Sequence, residues 1–384
     1  MKKLFIIFLC IFVFFSLAYS QQNPKNDLTL GSSLQNALAI NPKLLSKNQE
    51  LLMEREKLLQ ARALYLPSLE TNFSLISFRN YYPVAVESNA QAPTILPASE
   101  ENPYYSIRIA MQQNIYTGGR VAAINKLANA GVRKLQLEIE IIRTEILWNI
   151  KTIFNECVYY NQQIKYYEAQ PRARSDAQIA YKIDMAYLNY NKRFLDLLDA
   201  IGLELNTIAE INAPFVPIIK ILDLENCLVL AFQYNSKIRL SQFDQKTDML
   251  LVNLELTRKY PTLSASVAQE WDGADSIVRD IRSWYVGINL NIPIFDGGAM
   301  FSRIRQKSIA SRLNTINQSR AEDEVRLEVY KAYLDYSFYL NKVLESKLHE
   351  KRSAYSITEL ELIKNLNNSY YKLEYAVGVE LDRY

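Results

Sequence analysis

Residues 105–120 read Tyr105-Ser106-Ile107-Arg108-Ile109-Ala110-Met111-Gln112-Gln113-Asn114-Ile115-Tyr116-Thr117-Gly118-Gly119-Arg120. Residues 284–298 read Trp284-Tyr285-Val286-Gly287-Ile288-Asn289-Leu290-Asn291-Ile292-Pro293-Ile294-Phe295-Asp296-Gly297-Gly298. In both, apolar residues alternate with polar or small ones, and the alternation runs into a glycine pair. Period two, with one apolar and one polar face, describes a strand wetted on one side. Strands are therefore expected over 104–116 and 284–293. Residues 68–79 (Leu69, Thr71, Phe73, Leu75) and 262–271 (Leu263, Ala265, Val267, Trp271) carry a weaker form of the pattern. Between the paired strands, 80–103 holds four prolines and 272–283 is polar; both read as loops.

The likeness of the two stretches belongs to a wider duplication. Leu28, Leu30, Leu34, Ala37, Asn41, Lys43, Pro67 and Leu69 recur 194 positions later as Leu222, Leu224, Leu228, Ala231, Asn235, Lys237, Pro261 and Leu263. Gly118, Gly119 and Glu145 recur as Gly297, Gly298 and Glu324, 179 positions on. Two in-phase offsets, separated mainly by the shorter second loop, indicate one structural unit written twice. The first repeat is assigned to 21–210 and the second to 222–384. Residues 211–221, with Pro214 and Pro217, link them.

Outside the strands the period is seven. Leu38, Leu45, Leu52, Leu59 and Leu66 form one line within 32–66, and Leu44, Leu51, Leu58 and Tyr65 form its neighbour. Val132, Ile139, Ile146, Ile153, Tyr160 and Tyr167 form another within 120–168, flanked by Ile150, Cys157 and Ile164. Such spacing keeps an apolar seam against partner helices, and two adjacent lines fit a helix touched on two sides. A helix of about fifty residues spans roughly 75 Å, longer than a compact domain of this size needs. Further helices are expected over 176–210, 225–258, 299–350 and 357–380. The fold class is thus mostly α with β, a duplicated helix, β-hairpin and helical-hairpin unit; the helical hairpins cover 118–210 and 297–384.

The chain opens with Lys2-Lys3, an apolar run from Leu4 to Leu17, and Ala18-Tyr19-Ser20. This is the layout of a secretory signal peptide over residues 1–20. Cys10 lies within the run and not at its end, which argues against a lipid anchor. After cleavage only Cys157 and Cys227 remain, too few for a disulfide framework. Net charge is +3 from 44 basic and 41 acidic residues without charged tails, so nucleic acid is not an expected partner.

Catalytic and metal-binding constellations are missing from the sequence. His349 is the only histidine and sits among Glu350, Lys351 and Arg352 on a helical surface. No ligand set at metal spacing and no nucleophile elbow accompanies it. No catalytic, metal or cofactor residues are assigned, and no enzyme activity is expected.

The mature sequence has no apolar run of eighteen residues, so a transmembrane helix is not expected. A transmembrane strand needs only about nine to eleven alternating residues. Four strands cannot close a barrel, and open edges in lipid leave unpaired backbone groups costing several kcal/mol each. Several chains would then have to close it together. Two would give eight strands with a filled interior; three would give twelve and room for a pore. The competing reading is a periplasmic coiled-coil spacer without a pore, its strands packed on its own helices.

At this point the residues carry a family likeness. The chain resembles the TolC-like outer membrane efflux proteins over its mature length. The matching features are Leu28-Thr29-Leu30, the helix opening from Ala37 to Asn41-Pro42, and the helix-to-strand corners at Pro67 and Pro261. Strongest are the strand-to-helix corners at Gly118-Gly119 and Gly297-Gly298. The resemblance implies a homotrimer with a twelve-stranded outer-membrane β-barrel, four strands per chain, and a long periplasmic α-helical barrel. It also implies a conduit engaged by a periplasmic adaptor (membrane fusion) protein and an inner-membrane transporter, in a tripartite efflux pump or a type I secretion system. In that barrel Tyr105, Ile107, Ile109, Met111, Trp284, Val286, Ile288 and Leu290 would face outer membrane lipid. Arg108, Gln112, Asn289 and Asn291 would face the lumen.

One departure concerns the helix–helix turns, where the family usually carries glycine. Here the matching stretches read Tyr181-Lys182-Ile183-Asp184 and Tyr355-Ser356-Ile357-Thr358. Ile183, Asp184, Ile357 and Thr358 are the candidate adaptor contacts. The returning helices also look short, which is compatible with a shorter helical barrel or with a missing part of the equatorial belt.

Overall fold

The structure is a computed structural model that describes residues 26–86, 94–170, 176–273, 281–346 and 355–381. The leader expected over 1–20 and His349 lie outside these residues. Eight helices are present among them: α1 (Leu30–Ile40), α2 (Pro42–Ala63), α3 (Arg120–Glu168), α4 (Ala177–Ile201), α5 (Leu224–Tyr234), α6 (Ser236–Leu256), α7 (Ala299–Glu345) and α8 (Ile357–Val377). The strands are β1 (Asn26–Leu28), β2 (Ser68–Val86), β3 (Thr94–Tyr116), β4 (Ala209–Ile211), β5 (Thr262–Gly273) and β6 (Ile281–Asn291).

The chain forms two compact units. The first contains residues up to 50, 135–242 and 317–384; the second contains 51–134 and 243–316. Each sequence repeat contributes to both.

The first unit holds the core. Ile146, Ile150, Phe154 and Cys157 of α3 pack with Leu197, Leu198 and Ile201 of α4 and with Ile363, Leu366 and Leu373 of α8. The flanking line Ile150, Cys157 and Ile164 is therefore the packed seam, with Cys157 fully buried in it, while Ile146 and Ile153 are the buried members of the line beside it. Burial pushes the Cys157 thiol up to about 12 and that of Cys227 to about 11. Only the thiolate attacks alkylating reagents. Both thiols should therefore stay unlabelled by iodoacetamide in the folded chain near pH 9 and react once denatured, as read by mass spectrometry. Because these thiols hold their protons longer when folded, their linkage leaves stability unchanged below the ordinary thiol range. Stability then falls as pH rises through that range toward about 12.

Two expected long helices are each divided. The helix expected over 32–66 breaks at Asn41, and the one expected over 225–258 breaks at Asn235. Both asparagines have ψ near 120°, outside the helical region. Pro42 accounts for the first break, since it lacks an N–H and disfavours helical backbone at the residue before it. At Asn235 no proline follows, and the side chain supplies the reason. Asn235 Nδ2 donates to the Ala376 carbonyl at 2.8 Å, while its Oδ1 accepts the Lys237 N–H at 2.9 Å. Asn41 does the same with the Ala200 carbonyl at 2.7 Å and the Lys43 N–H at 3.0 Å. Each asparagine thus caps the following helix and ties it to the last turn of α4 or α8. Those helices end on Gly202 and Gly378, with φ of 91° and 88°. A Cβ on Gly378 would lie 2.9 Å from Asn235 Cα, so the close approach itself excludes a larger residue.

The segment between the repeats is pinned in place. It follows directly on β4, which pairs in parallel with β1. Beyond it, Asn367 accepts the Ile218 N–H at 2.8 Å and donates to the Val216 carbonyl at 3.0 Å. The buried Tyr336 hydroxyl accepts the Lys220 N–H at 2.9 Å and donates to the Lys220 carbonyl at 2.8 Å. Side chains of α7 and α8 thus satisfy the main chain of an extended strap that no ladder serves.

The second unit has almost no core of its own. Its buried apolar residues, among those described, are Ala61, Val121, Ala130 and Ala268. Of the two apolar lines on α2, Leu44 packs inward, while Leu45, Leu52 and Leu59 are 46%, 49% and 51% exposed. Ile309, Leu313, Ile316, Leu327, Leu334 and Phe338 form a similar exposed stripe along α7.

Candidate membrane-embedded sheet

The second unit carries a four-stranded sheet in the order β2-β3-β5-β6, antiparallel throughout. Its strands exceed the expected limits at the four ends away from the helices. β2 continues to Val86 and β3 begins at Thr94, so much of the expected 80–103 loop is paired. Likewise β5 reaches Gly273 and β6 begins at Ile281, while β6 stops at Asn291, short of 293. The prolines of 80–103 are compatible with a strand there. Pro83 and Pro97 stand opposite each other where β3 has passed its pairing with β5, which starts at Tyr105. Proline is tolerated in a strand that lacks a second neighbour.

Register sorts the side chains onto two faces, because directly opposed residues in an antiparallel pair point the same way. Met111 stands opposite Leu69 and Val267, and Val267 opposite Val286. Ile107 stands opposite Phe73 and Trp271, and Leu263 opposite Leu290. All eight residues expected to face lipid share this one face. Leu69, Phe73, Leu75, Val267 and Trp271 join them; Thr71, Ser77 and Gln269 interrupt it, as does Arg282 opposite Trp271 at the end far from the helices. The face is bare in the single chain, with Trp284 73% and Ile288 70% exposed. Soluble monomers rarely expose an apolar patch of this extent.

The opposite face is polar. Arg108 stands opposite Asn72 and Glu270, Gln112 opposite Ser68 and Ser266, Asn289 opposite Ser264, and Asn291 opposite Thr262. All four residues expected to face the lumen lie here. The Arg108 guanidinium donates to the Tyr285 hydroxyl and lies 5.5 Å from the centre of its ring. Glu70, Glu270, Asp272 and Tyr285 also belong to this face. The alternation in 284–292 could have assigned Tyr285, but the weaker patterns of β2 and β5 hid the acids.

Each strand end passes to or from a helix through the expected corners. Pro67 and Pro261 stand one residue before β2 and β5. Gly118, Gly119, Gly297 and Gly298 all have positive φ, from 60° to 84°. A Cβ at Gly118 would lie 2.4 Å from Tyr260 Cβ, whereas nothing lies within 4 Å of the Cβ positions of Gly297 and Gly298. At the second corner Asp296 accepts the Met300 N–H at 2.8 Å and pairs with Arg303 at 3.0 Å.

The remaining candidates lie in the first unit. Tyr181 to Asp184 do not form a turn: α4 begins at Ala177 after the cap Asp176, so Ile183 and Asp184 are inside the helix. The helix expected over 176–210 thus already covers the stretch that the resemblance pointed to as a turn. Ser356 caps α8 together with Glu359, which places Ile357 and Thr358 in its first turn. Asp184 and Thr358 are exposed, while Ile183 and Ile357 are half-buried. Among the described residues no cluster of three His, Cys, Asp or Glu could hold a metal, and no helix is long and apolar enough to cross a membrane.

No protein-family model and no curated protein sequence matches the chain. Solved structures do. CusC, described in terms of folding and transmembrane channel formation, matches with a TM-score of 0.69 at 13% identity, over 94% of this chain and 96% of its own. The outer-membrane channel OprN matches with a TM-score of 0.70 at 11% identity, over 91% of this chain and 90% of its own. The open-state MtrE outer membrane channel of Neisseria gonorrhoeae matches with a TM-score of 0.62 at 14% identity, over 91% and 89%. The chain has the TolC-like fold. That fold accounts for four strands and long helices in one chain.

Proposed function

We propose that the protein is the outer-membrane exit duct of a tripartite efflux pump or a type I secretion system. Three copies would close a twelve-stranded barrel whose apolar face meets outer membrane lipid, and their helices would extend the duct through the periplasm. A periplasmic adaptor and an inner-membrane transporter would complete the pathway. Ile183, Asp184, Ile357 and Thr358 are retained as candidate adaptor contacts, near the ends of α4 and α8. The duct itself performs no chemistry.

The observation that carries this reading is the open sheet with one apolar face, in a unit with almost no core. Unpaired edges and bare apolar side chains are stable together only where other chains cover the edges and lipid covers the face. A spacer dissolved in the periplasm would leave both uncovered. The full-length protein, expressed with its leader, should fractionate with the outer membrane as a heat-sensitive oligomer and conduct in planar bilayers. A native-shaped monomer, stable in water without detergent, would overturn the reading.

A further inference from the structure

The duplication fixes how one copy meets the next. Inside the chain the two hairpins have the same register once the offsets are applied. Ser68 stands opposite Gln112 in the first, and their counterparts Thr262 and Asn291 stand opposite each other in the second. The offsets of 194 for β2 to β5 and 179 for β3 to β6 are thus obeyed by the strands as well as by the letters. A third ladder joins the hairpins, β3 to β5, with Met111 opposite Val267 and Ile109 opposite Gln269. Its repeat counterpart would join β6 to β2. Those two strands are the opposite edges of the sheet, so they cannot meet within one chain.

The corners show the same gap. Tyr260 is packed on Gly118 inside the chain. The counterpart of Tyr260 is Leu66 and that of Gly118 is Gly297. Yet Leu66 is 66% exposed, Phe295 is 87% exposed, and nothing lies near Gly297. One partner of each repeated contact is therefore present twice and satisfied once.

We propose that a second copy of this chain supplies the missing contact: its β2 pairs antiparallel with β6, Leu290 opposite Phe73 and Ile288 opposite Leu75, and its Leu66 corner seats on Gly297-Gly298. This rests on the barrel reading above and adds its register. The register follows from applying the two offsets to Met111–Val267 and Ile109–Gln269. It also keeps apolar side chains with apolar ones, a condition that a one-residue slip would break. The contact is head-to-tail, so repetition closes a ring without any new surface where the rotation between copies divides a full turn.

The test uses paired cysteines in the full-length protein in outer membranes, oxidised with copper–phenanthroline. Leu75→Cys with Ile288→Cys, and Ser74→Cys with Asn289→Cys, sample neighbouring rungs of the proposed ladder. One of the two is the closer, non-hydrogen-bonded kind, which suits a disulfide. Within a chain these positions lie three strand spacings apart, roughly 14 Å across the sheet, and the rungs of Leu75 and Ile288 on β5, at Gly273 and Ala265, are roughly 27 Å apart along it, far beyond disulfide reach. The expected result is a covalent ladder ending at the closed oligomer, several-fold stronger for the better of these pairs than for Phe73→Cys with Ile288→Cys. A stronger ladder from the shifted pair, or none from either proposed pair in a heat-sensitive conducting oligomer, overturns the register and leaves the barrel standing. Absence of any membrane oligomer in the unsubstituted protein overturns the barrel reading, and the register with it.

Discussion

Ile109→Arg should abolish assembly in the outer membrane, and Ile288→Arg should impair it. Both residues lie on the apolar face, opposite Thr71 and Ala265 respectively. An arginine on the lipid face of a barrel costs roughly 2–4 kcal/mol near the bilayer midplane and far less toward the interface. The rung of Ile109 lies farther from the helix-proximal end of the sheet, so its change has the larger effect. In the proposed ring every copy would carry the charge, so the cost would multiply with the number of chains. The control is Asn289→Arg on the opposite face, next in sequence to Ile288. It should assemble normally and change only conductance. The measurement is the yield of heat-sensitive oligomer in the outer-membrane fraction. Equal yields for Ile288→Arg, Ile109→Arg and Asn289→Arg would mean that the two faces do not differ in environment.

The second large effect is expected at the asparagine–glycine junctions of the first unit. Asn235→Ala removes both a buried donor to the Ala376 carbonyl and the acceptor that caps α6. Leaving such groups unpaired costs on the order of 1–3 kcal/mol, and a lost cap about 1 kcal/mol. Gly378→Ala forces a side chain into left-handed backbone and against Asn235 Cα. The conformational part alone is about 1–2 kcal/mol, and overpacking adds roughly 1–3 kcal/mol. Both changes should lower the denaturant midpoint of the helical unit, followed by circular dichroism. The double variant should cost less than the sum of the two, because the residues share one contact. Gly31→Ala is the comparison, since nothing lies within 4 Å of that position.

These junctions also show where the sequence was legible and where it was not. Strand faces could be read from alternation, because each rung repeats a two-residue rule that needs no knowledge of the partner. The seam of α3 could be read for a similar reason, with Ile150 and Cys157 buried as their spacing implied. The break at Asn235 could not, since apolar lines run past it and the bond that enforces it goes to Ala376, far along the chain. The paired part of 80–103 was hidden because proline opposes strand only when both sides of the strand are occupied. The strap through Val216, Ile218 and Lys220 was hidden for another reason. Its main chain is held by Asn367 and Tyr336, and no local pattern announces an anchor that distant.

The uneven distribution of buried residues sets an order of events during biogenesis. The unit built around Ile150, Leu197 and Ile363 has enough interior to fold as each polypeptide emerges. The unit bearing the sheet buries little beyond four small side chains among the described residues, and on the proposed reading it would gain its stability from sister subunits and from lipid. Maturation should therefore pass through a half-finished protomer, helical and protease-resistant in one part and still labile in the other. Its conversion to the finished pore would depend on subunit concentration and on the arrival of a bilayer.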